Sequence, residues 1–544
     1  MNKSFFLVAS GIFFAANVVA QQRPVIKAPF FKKDTFNIVT YGAKPDGITL
    51  NTVAINSAID ACSKKGGGVV LVPKGFWLTG PLVLKSNVNL HLQHNALLQF
   101  SSDFNQYQLV ETNWEGLPAV RNQSPISATK ATNIAITGFG VIDGNGDAWR
   151  MVKKNKLTES QWKKKIGSGG IVSDDKTKWY PTQSSIDGEK VKNAGVLLDG
   201  KTVEDYRSIK DFLRPNLVVL AQCDRILLEG VTFQNSPAWC LHPLMSTNLT
   251  VRNIFVKNPW YAQNGDGIDV ESCRYVLIEN SVFDVGDDGL CMKSGRDAEG
   301  RKRAMPTQDV IIRNCTVYNS HGGFVIGSEM SGGAKNIFVD DCSFIGSDIG
   351  LRFKTTRGRG GVVENIYINN ISMKNIPGEA ILFDMYYMAK DPIVLDGETR
   401  IAPKVEMLPV TEATPRFRNI YIKNVVCDGA EKALFIRGLP EMNIHDIYLE
   451  NMNIIAREGI ECSEAKKISL KNVNIFAKDN QPLIDILNSS DISFTGFNNK
   501  TEVPVNVRIA GDRTENIDWK DSKAINMAGS IFEFGASQTD IKTK

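Results

Sequence analysis

The sequence is poor in the features that mark zinc-binding, membrane-spanning or strongly charged proteins. It has no CxxC pair, so the usual sulfur ligands of a structural zinc site are missing. After the first 20 residues no apolar run reaches the length of about 20 residues that a transmembrane helix needs. The formal net charge of +4 gives a weak preference for anionic partners at most. A composition of 22% charged and 42% hydrophobic residues is ordinary for a soluble globular protein.

The N-terminus has the pattern of a signal peptide. Lys3 supplies a positive charge, residues 5–19 form an apolar stretch, and small residues up to Ala20 precede a cleavage site before Gln21. We therefore expect residues 1–20 to be removed and the mature protein to be exported, either to the periplasm or out of the cell. An uncleaved N-terminal anchor is the alternative, and the short length of the segment disfavours it.

The nine cysteines are an odd number and are spread along the chain. An exported protein can form disulfide bonds, but the sequence alone assigns none. We expect most of these cysteines to be small apolar residues of a buried core.

A repeat of the form apolar-x-apolar-x-Asn-x-x-apolar runs through the middle and the C-terminal part of the chain. Its units are 21 to 34 residues apart, except for one gap of 54, which is twice 27. A period in this range indicates stacked units that share one core. The units begin at Ile226, Leu249, Val276, Val310, Ile337, Ile366, Ile420, Ile447, Ile468 and Ile492.

Two columns of the repeat predict the fold. The fifth position of each unit is Asn, Asp or Gly, the residues that tolerate a left-handed backbone, and predicts a recurring sharp turn. The eighth position is apolar from Phe233 onwards and predicts a residue that points inwards. Short strands of period two, such as residues 365–369, separate the turns. The pattern predicts an all-β, single-stranded, right-handed parallel β-helix of about ten or more coils. Leucine-rich repeats would need Leu in most columns and propellers a longer period.

The ends of the chain differ from the repeat. We expect a linker over residues 21–33, a single β-helix domain over 34–537 and a flexible polar tail over 538–544. Apolar residues at helical spacing over residues 51–62 predict a short helix that caps the open end of the first coil.

Two long insertions interrupt the rhythm of the coils. Residues 149–215 are rich in lysine, and residues 385–417 contain four prolines at positions 392, 403, 409 and 415. Loops of this length in a compact repeat are usually functional or mobile.

Four polar motifs follow one another in the middle of the repeat. If the coils are aligned on Gly267, Gly289, Gly323 and Gly350, the motifs fall on neighbouring strands. Such strands lie about 4.8 Å apart, so their side chains can act together. The alignment also puts His321 at the level of Asp287. The motifs are Asn264-Gly265-Asp266-Gly267, Gly286-Asp287-Asp288, Ser320-His321-Gly322-Gly323 and Leu351-Arg352-Phe353-Lys354.

Stacked carboxylates repel one another, and this repulsion is useful in acid–base chemistry. A like charge nearby raises the pKa of one carboxyl, so that one acid stays protonated beside an ionised one. Glycoside hydrolysis needs this pair, because an acid protonates the leaving oxygen while a carboxylate activates water. The arrangement of Asp266, Asp287 and Asp288 therefore indicates glycoside hydrolysis.

The four motifs, in this order and spacing, resemble the signature motifs of glycoside hydrolase family 28, the polygalacturonase family. The resemblance implies a pectin-lyase-like solenoid with no cofactor or metal. It makes Asp287 the general acid, Asp266 and Asp288 the residues that hold and deprotonate the water, and His321 the residue that tunes the acid. Reaction with inversion would then place acid and base about 6.5 to 9.5 Å apart.

The resemblance also implies a set of substrate-binding residues. Arg352 and Lys354 would bind the sugar carboxylate, and Asn264 would help to place the substrate. The family has a tyrosine at the sugar-binding face, which either Tyr386 or Tyr387 could supply, and we take Tyr386 as the candidate. Gly265 stands where the family commonly has Thr, a departure that leaves the acid and the bases in place.

The predicted function is an exported, monomeric hydrolase that cleaves α-1,4-galacturonosidic bonds in pectin, with no nucleic-acid or membrane partner. The resemblance is greatest to bacterial exo-acting galacturonidases, and the insertion over residues 149–215 would close one end of the groove. Hydrolases of rhamnogalacturonan or xylogalacturonan are the alternatives within the family, although His321 favours galacturonan. A polysaccharide lyase and a noncatalytic carbohydrate-binding β-helix are the alternatives outside it.

Overall fold

The computed structural model describes residues 23–389, 395–396, 399–401, 405–499 and 504–543. The expected signal peptide lies outside the described residues, as does part of the insertion over 385–417. Strand after strand joins one large parallel sheet of 35 strands that winds along the whole molecule. The predicted right-handed parallel β-helix is therefore confirmed.

The coils in the middle of the β-helix contribute strands to three faces, which we call the site sheet, the back sheet and the side sheet. The site sheet contains Leu82–Val83, Ile126–Thr129, Val218–Ala221, Leu241–Leu244, Ile268–Glu271, Asp288–Lys293, Gly322–Ile326, Leu351–Lys354, Ile484–Leu487, Val507–Ala510 and Ile531–Glu533. The back sheet contains Thr35–Asn37, Gly68–Val72, Val88–Leu92, Thr132–Gly138, Asp224–Glu229, Thr247–Arg252, Arg274–Glu279, Thr307–Arg313, Ser490–Thr495, Glu515–Lys520 and Ile541–Thr543. The side sheet contains Asp46–Leu50, Gly75–Thr79, Ala96–Phe100, Val141–Asp143, Thr232–Gln234, Phe255–Lys257, Val282–Asp284 and Thr316–Tyr318.

In the later coils the strands continue around the corners between faces. These long strands are Ala334–Ile345, Val362–Asp384, Arg416–Arg437, Ile444–Ser463 and Ala465–Ala477. Three smaller antiparallel pairings lie outside the β-helix, formed by Leu109–Trp114 with Leu117–Asn122, by Lys178–Tyr180 with Val152–Lys153 and Ile171–Val172, and by Leu395–Asp396 with Thr399–Arg400. The α-helices are Thr52–Lys64, Glu159–Gly167, Gln183–Glu189 and Asp297–Arg303.

The register predicted from the repeat is the register of the structure. Ile226 pairs with Leu249, Leu249 with Val276, and the pairing continues in the same column to Ile492. The eighth position of each unit, from Phe233 to Ile475, is buried in one continuous core. All nine cysteines are buried and unpaired, as expected of core residues.

The turn column adopts the left-handed backbone that its residue types predicted. Asn424, Asn451 and Asn472 have φ angles of 56°, 56° and 54°. Their side chains also join successive coils, because the Asn451 amide donates to Asn424 Oδ1 at 3.2 Å and accepts from Asn472 at 3.1 Å. The column therefore fixes both the turn and the stacking of the coils.

The two ends of the β-helix are closed by different elements. The predicted N-terminal helix is Thr52–Lys64, and its buried face, which includes Ile55 and Ile59, joins the core of the first coils. The prediction of a flexible tail is wrong for the residues before Lys544, because Ile541–Thr543 pairs with the preceding back-sheet strand and Ile541 is buried. The polar residues around Ile541 concealed this last strand.

Two segments rise above the N-terminal part of the site sheet. The first is the hairpin of Leu109–Trp114 and Leu117–Asn122, which the sequence did not reveal. The second is the insertion over 149–215, which carries the helices Glu159–Gly167 and Gln183–Glu189. Backbone bonds join them, since Val120 N donates to Gly195 O at 2.7 Å and Leu197 N to Pro118 O at 2.9 Å.

The turn column generates a test of stability. We expect Asn451→Ala to lower the free energy of unfolding by about 1–2 kcal/mol, because alanine is strained at positive φ. Asn451→Gly keeps the backbone conformation and loses only the side-chain hydrogen bonds, so its loss should be smaller. Urea unfolding of both variants measures the difference. If alanine and glycine gave equal losses, the turn would not depend on backbone conformation.

Candidate active site

Three carboxylates converge where two neighbouring strands of the site sheet begin. Asp288 opens its strand and pairs with Gly322 in the next coil, which places Asp287 level with His321 as predicted. Asp266 stands two residues before Ile268, the partner of Leu290. One carboxylate oxygen from each of Asp266, Asp287 and Asp288 lies within 4.8 Å of the others.

The glycine column beside these residues is required by the core beneath it. A side chain at Gly289 would overlap Val317, and one at Gly323 would overlap the ring of Phe344. At Gly322 a Cβ would overlap the Val325 side chain at 2.5 Å and would also come within 3.3 Å of the Arg352 side chain. The glycine thus leaves room for Arg352 to cross one strand towards Asp288.

Asp288 is held as a carboxylate by two cations. Lys354 Nζ lies 2.7 Å from one of its oxygens, and Arg352 Nη1 lies 3.4 Å from the other. Burial alone would raise the pKa of Asp288, but these two residues and Lys293 hold it well below its usual range. In the free protein, therefore, the predicted sugar-carboxylate ligands Arg352 and Lys354 bind a protein carboxylate.

The pKa of Asp266 is shifted in the opposite direction from that of Asp288. Burial, followed by repulsion from Asp269, Asp287 and Asp288, raises the pKa of Asp266 well above its usual range. Its Oδ1 atom is buried and has no hydrogen-bond partner among the described residues. The site thus combines an ionised Asp288 with an Asp266 that retains its proton to higher pH.

Asp287 is half-buried and is paired with the imidazole of the next coil. His321 Nδ1 lies 3.2 Å from Asp287 Oδ1, and its other ring nitrogen lies 3.8 Å from Asp348 Oδ2. The hydrogen bond to Asp287 is the main cause that raises the pKa of His321. The pair therefore holds a proton at a more alkaline pH than a free imidazole would.

The structure favours Tyr387 rather than Tyr386 as the tyrosine of the site. The ring centre of Tyr387 lies 5.1 Å from Lys354 Nζ and 5.8 Å from the Arg352 guanidinium. Tyr386 is buried and lies between Arg357 and Arg437, away from the carboxylates. The choice of Tyr386 is therefore corrected, and the reason is that the strand ends at Asp384 and the chain then turns.

Asn264 lies at the edge of a cavity beside the carboxylates. Its side-chain oxygen accepts a hydrogen bond of 2.9 Å from Arg214, which belongs to the insertion over 149–215. Burial lowers the pKa of Arg214 to about 10, and the charges of Asp266 and Asp287 act against this shift. Asn264 and Arg214 are thus neighbours of the carboxylate cluster.

This cavity has a volume of about 210 Å³ and is walled by the two raised segments. The hairpin contributes Trp114, Glu115 and Arg121, the insertion contributes Arg214 and other residues, and Arg296 lies on the remaining side. The Arg121 guanidinium is 3.6 Å from the centre of the Trp114 ring, and Trp114 stacks on Trp239 at 5.2 Å. Three arginines therefore face one small cavity at the end of the groove.

A buried network below the carboxylates escaped the sequence analysis. Lys293 Nζ lies 2.9 Å from Glu329 and 3.7 Å from Asp269, and 5.1 Å from the centre of the Trp239 ring. Burial is the main cause that raises the pKa of Asp269, and Lys293 only partly offsets it. The sequence signal for this network was a lysine that directly follows the apolar residues 290–292, at the end of a strand whose residues are all buried.

Two family models match the chain. The model described as glycosyl hydrolases family 28 matches residues 169–426, which include all four motifs. A second, described as rhamnogalacturonase A/epimerase, pectate lyase-like, matches residues 35–196. No helix of the described residues is long and apolar enough to cross a membrane.

Individual relatives point to the same family. The chain is 29% identical to a probable polygalacturonase of Vitis vinifera, over 77% of this chain and 74% of the relative. It is 30% identical to the exo-poly-alpha-D-galacturonosidase of Dickeya chrysanthemi, over 74% of this chain and 64% of the relative. The solved exopolygalacturonase of Thermotoga maritima is 31% identical, with a TM-score of 0.66 over 83% of this chain and 93% of that one. The chain therefore belongs to glycosyl hydrolase family 28, the polygalacturonase family, and is a glycoside hydrolase.

Proposed function

We propose that this protein hydrolyses α-1,4-galacturonosidic bonds from the ends of pectic galacturonan chains, with inversion. The observation that carries the proposal is that three carboxylates lie beside Arg352 and Lys354 on the site sheet. An acidic sugar needs both groups, since the carboxylates perform the hydrolysis and the cations bind the uronate.

Asp287 is the proposed general acid. It is the most accessible carboxylate of the three, with 22% of its side chain exposed, and it shares a hydrogen bond with His321. The pair can deliver a proton to the glycosidic oxygen when the imidazole carries one. Because the pKa of His321 is raised, activity should persist to a more alkaline pH than an isolated imidazole would allow and then fall.

Asp288 and Asp266 are proposed to hold the attacking water. Two oxygens within 4.8 Å of each other can both hydrogen-bond to one water at about 2.8 Å. Ionised Asp288 then accepts the water proton, while Asp266 orients the water through its hydrogen bond. As substrate binds, its carboxylate competes with Asp288 for Arg352 and Lys354, which would make Asp288 a stronger base.

The separation of the carboxylates differs from the expected one. We expected acid and base to lie about 6.5 to 9.5 Å apart, whereas one oxygen each of Asp287, Asp288 and Asp266 lie within 4.8 Å of one another. The separation of the carboxylates therefore does not support inversion. The support for inversion is the proposed water site between Asp266 and Asp288. Inversion is tested by the anomer that forms first.

Exo action is supported by the closed end of the groove. The cavity of about 210 Å³ is walled by the hairpin over 109–122 and the insertion over 149–215, and we propose that these two segments stop the substrate chain there. Arg121, Arg214 and Arg296 suit the carboxylate of a terminal sugar. The exo-acting relatives from Dickeya chrysanthemi and Thermotoga maritima support the same proposal.

We also propose that the protein is exported, because residues 1–20 have the pattern of a signal peptide. Pectin is a polymer outside the cell, which agrees with this location.

The alternative substrates within the family are rhamnogalacturonan and xylogalacturonan, and the arginine-lined cavity favours a terminal uronate over a neutral terminal sugar.

The ion pair of Asp288 predicts a shift in pH dependence. We expect Lys354→Met to raise the pKa of Asp288. The acidic limb of the pH profile of kcat/KM should then move to higher pH by about one unit or more. The value at the optimum should fall about 100-fold, because a buried charge loses its partner. Lys354→Arg is the matched control and should shift the limb less. An unchanged acidic limb would show that Lys354 acts on the substrate alone.

The role of Asp287 predicts a loss of turnover without a loss of fold. We expect Asp287→Asn to lower kcat on polygalacturonate by about 10²–10⁴, the usual contribution of a general acid. Asp341→Asn, in the turn column where most coils have Asn, should behave as wild type. Near-normal turnover in Asp287→Asn, or an unsaturated product that absorbs in the ultraviolet and disappears with a chelator, would favour the lyase instead.

The closed groove predicts the products. Digestion of polygalacturonate should release monomer or dimer from the first minutes, with slow loss of viscosity, and the first anomer should be β. Chromatography by size and proton NMR of the anomeric signals measure these two outcomes. A ladder of mixed oligomers would exclude exo action, and an α anomer would exclude inversion.

A further inference from the structure

Trp260 is an exposed tryptophan on the loop that leads to Asp266. It has 56% of its surface accessible, whereas tryptophan is usually well buried. The loop over residues 258–265 is nevertheless ordered by its own hydrogen bonds. The buried Asn258 amide donates to Gly265 O at 3.0 Å, and Ala262 N donates to Pro259 O at 2.9 Å. The indole is thus displayed on a fixed loop, so little entropy would be lost when a ligand binds it.

The loop that carries Trp260 contacts the chain directly before Asp287. Its backbone packs against Gly286, the residue directly before Asp287, because a Cβ at Gly286 would come within 2.7 Å of Trp260 O. At its other end the loop runs through Asn264, at the edge of the arginine-lined cavity, to Asp266. The backbone of the loop is therefore joined to the segments that carry Asp266 and Asp287.

A lysine of the insertion lies over this indole. Lys156 Nζ is 4.7 Å from the centre of the Trp260 ring. Its neighbour Lys154 forms an ion pair with Glu159, but Lys156 has no carboxylate partner in the part of the chain that the structure describes. An exposed ammonium group beside an exposed indole offers two kinds of contact, one with a flat apolar face and one with an anion.

We propose that Trp260 and Lys156 form a further subsite for one acidic sugar residue of the substrate. The face of the pyranose ring would stack on the indole, and the sugar carboxylate would pair with the ammonium group. The flexible, exposed lysine side chain allows the ammonium group to move from the ring face to the edge of the bound sugar. A neutral sugar would use the indole alone, so the lysine makes the subsite selective for uronates. This subsite rests on the proposed function, because it requires a galacturonan substrate.

Binding to an inactive enzyme tests the subsite directly. In Asp287→Asn, trigalacturonate should change the tryptophan fluorescence, and the added Trp260→Phe substitution should remove most of this change. Trp260→Ala should weaken binding about tenfold, and Lys156→Gln about threefold with a smaller dependence on salt. In the active enzyme both substitutions should raise KM more than they lower kcat.

Two substitutions serve as matched controls. Phe139 is also highly exposed, at 62%, but follows the back-sheet strand Thr132–Gly138 at a turn. Lys165 also lies over an indole, at 3.8 Å from the Trp179 ring, but that tryptophan is buried inside the insertion. Phe139→Ala and Lys165→Gln should leave trigalacturonate binding and KM unchanged.

The outcomes separate the subsite from the proposed function. If Asp287→Asn abolishes hydrolysis but Trp260→Ala binds trigalacturonate as well as its parent, the subsite is wrong and the hydrolase assignment stands. If Lys156→Gln and Lys165→Gln have equal effects, the lysine has no specific role and the uronate selectivity is wrong. If the parent binds no oligogalacturonate, both proposals fail together.

Discussion

Hydrogen bonding between successive coils is the interaction on which the rest of this structure depends. Parallel strands lie about 4.8 Å apart, and every coil repeats the same register from Ile226 to Ile492. This spacing brings residues that are 20 to 90 positions apart in the sequence into one site. It also fixes which of them can meet, since a shift of one residue would turn each outward side chain into the core.

The same stacking brings carboxylates close enough to repel one another, and nearby cations reduce this repulsion. Asp266, Asp287 and Asp288 would repel one another, but Lys354 and Arg352 neutralise one carboxylate while burial raises the pKa of another. The two behaviours arise from position alone, because all three residues are aspartates. Chemically identical side chains are thereby given different roles, which is the pattern expected of an acid–base pair.

The sequence predicted the parts of the structure that repeat, together with the N-terminal helix Thr52–Lys64, and missed several parts that occur once. The strand columns, the turn at Asn451 and the level of Asp287 and His321 follow from periodicity, which every coil reinforces. A second left-handed column is mostly Asn and Asp but includes Arg225, Tyr275 and Lys467, residue types that do not favour this conformation, so stacking imposes it at those three positions. Unique elements had no such support in the sequence.

The raised hairpin, the choice between Tyr386 and Tyr387 and the last strand at Ile541–Thr543 belong to this second group. Each depends on where one segment packs rather than on a repeated pattern. The buried Lys293 was also missed, because a single cation among carboxylates has no periodic signal. Its contacts with Glu329 and Asp269 exist only once the coils are stacked.

The ion pair between Lys354 and Asp288 spans two coil steps, across the strand that contains Gly322. A lysine side chain reaches this far but no farther. Duplication of a whole coil elsewhere would leave this ion pair intact, whereas one extra coil between Asp288 and Lys354 would separate the charges while preserving every strand pairing. The ion pair thus fixes the number of coils across the short interval from Asp288 to Lys354.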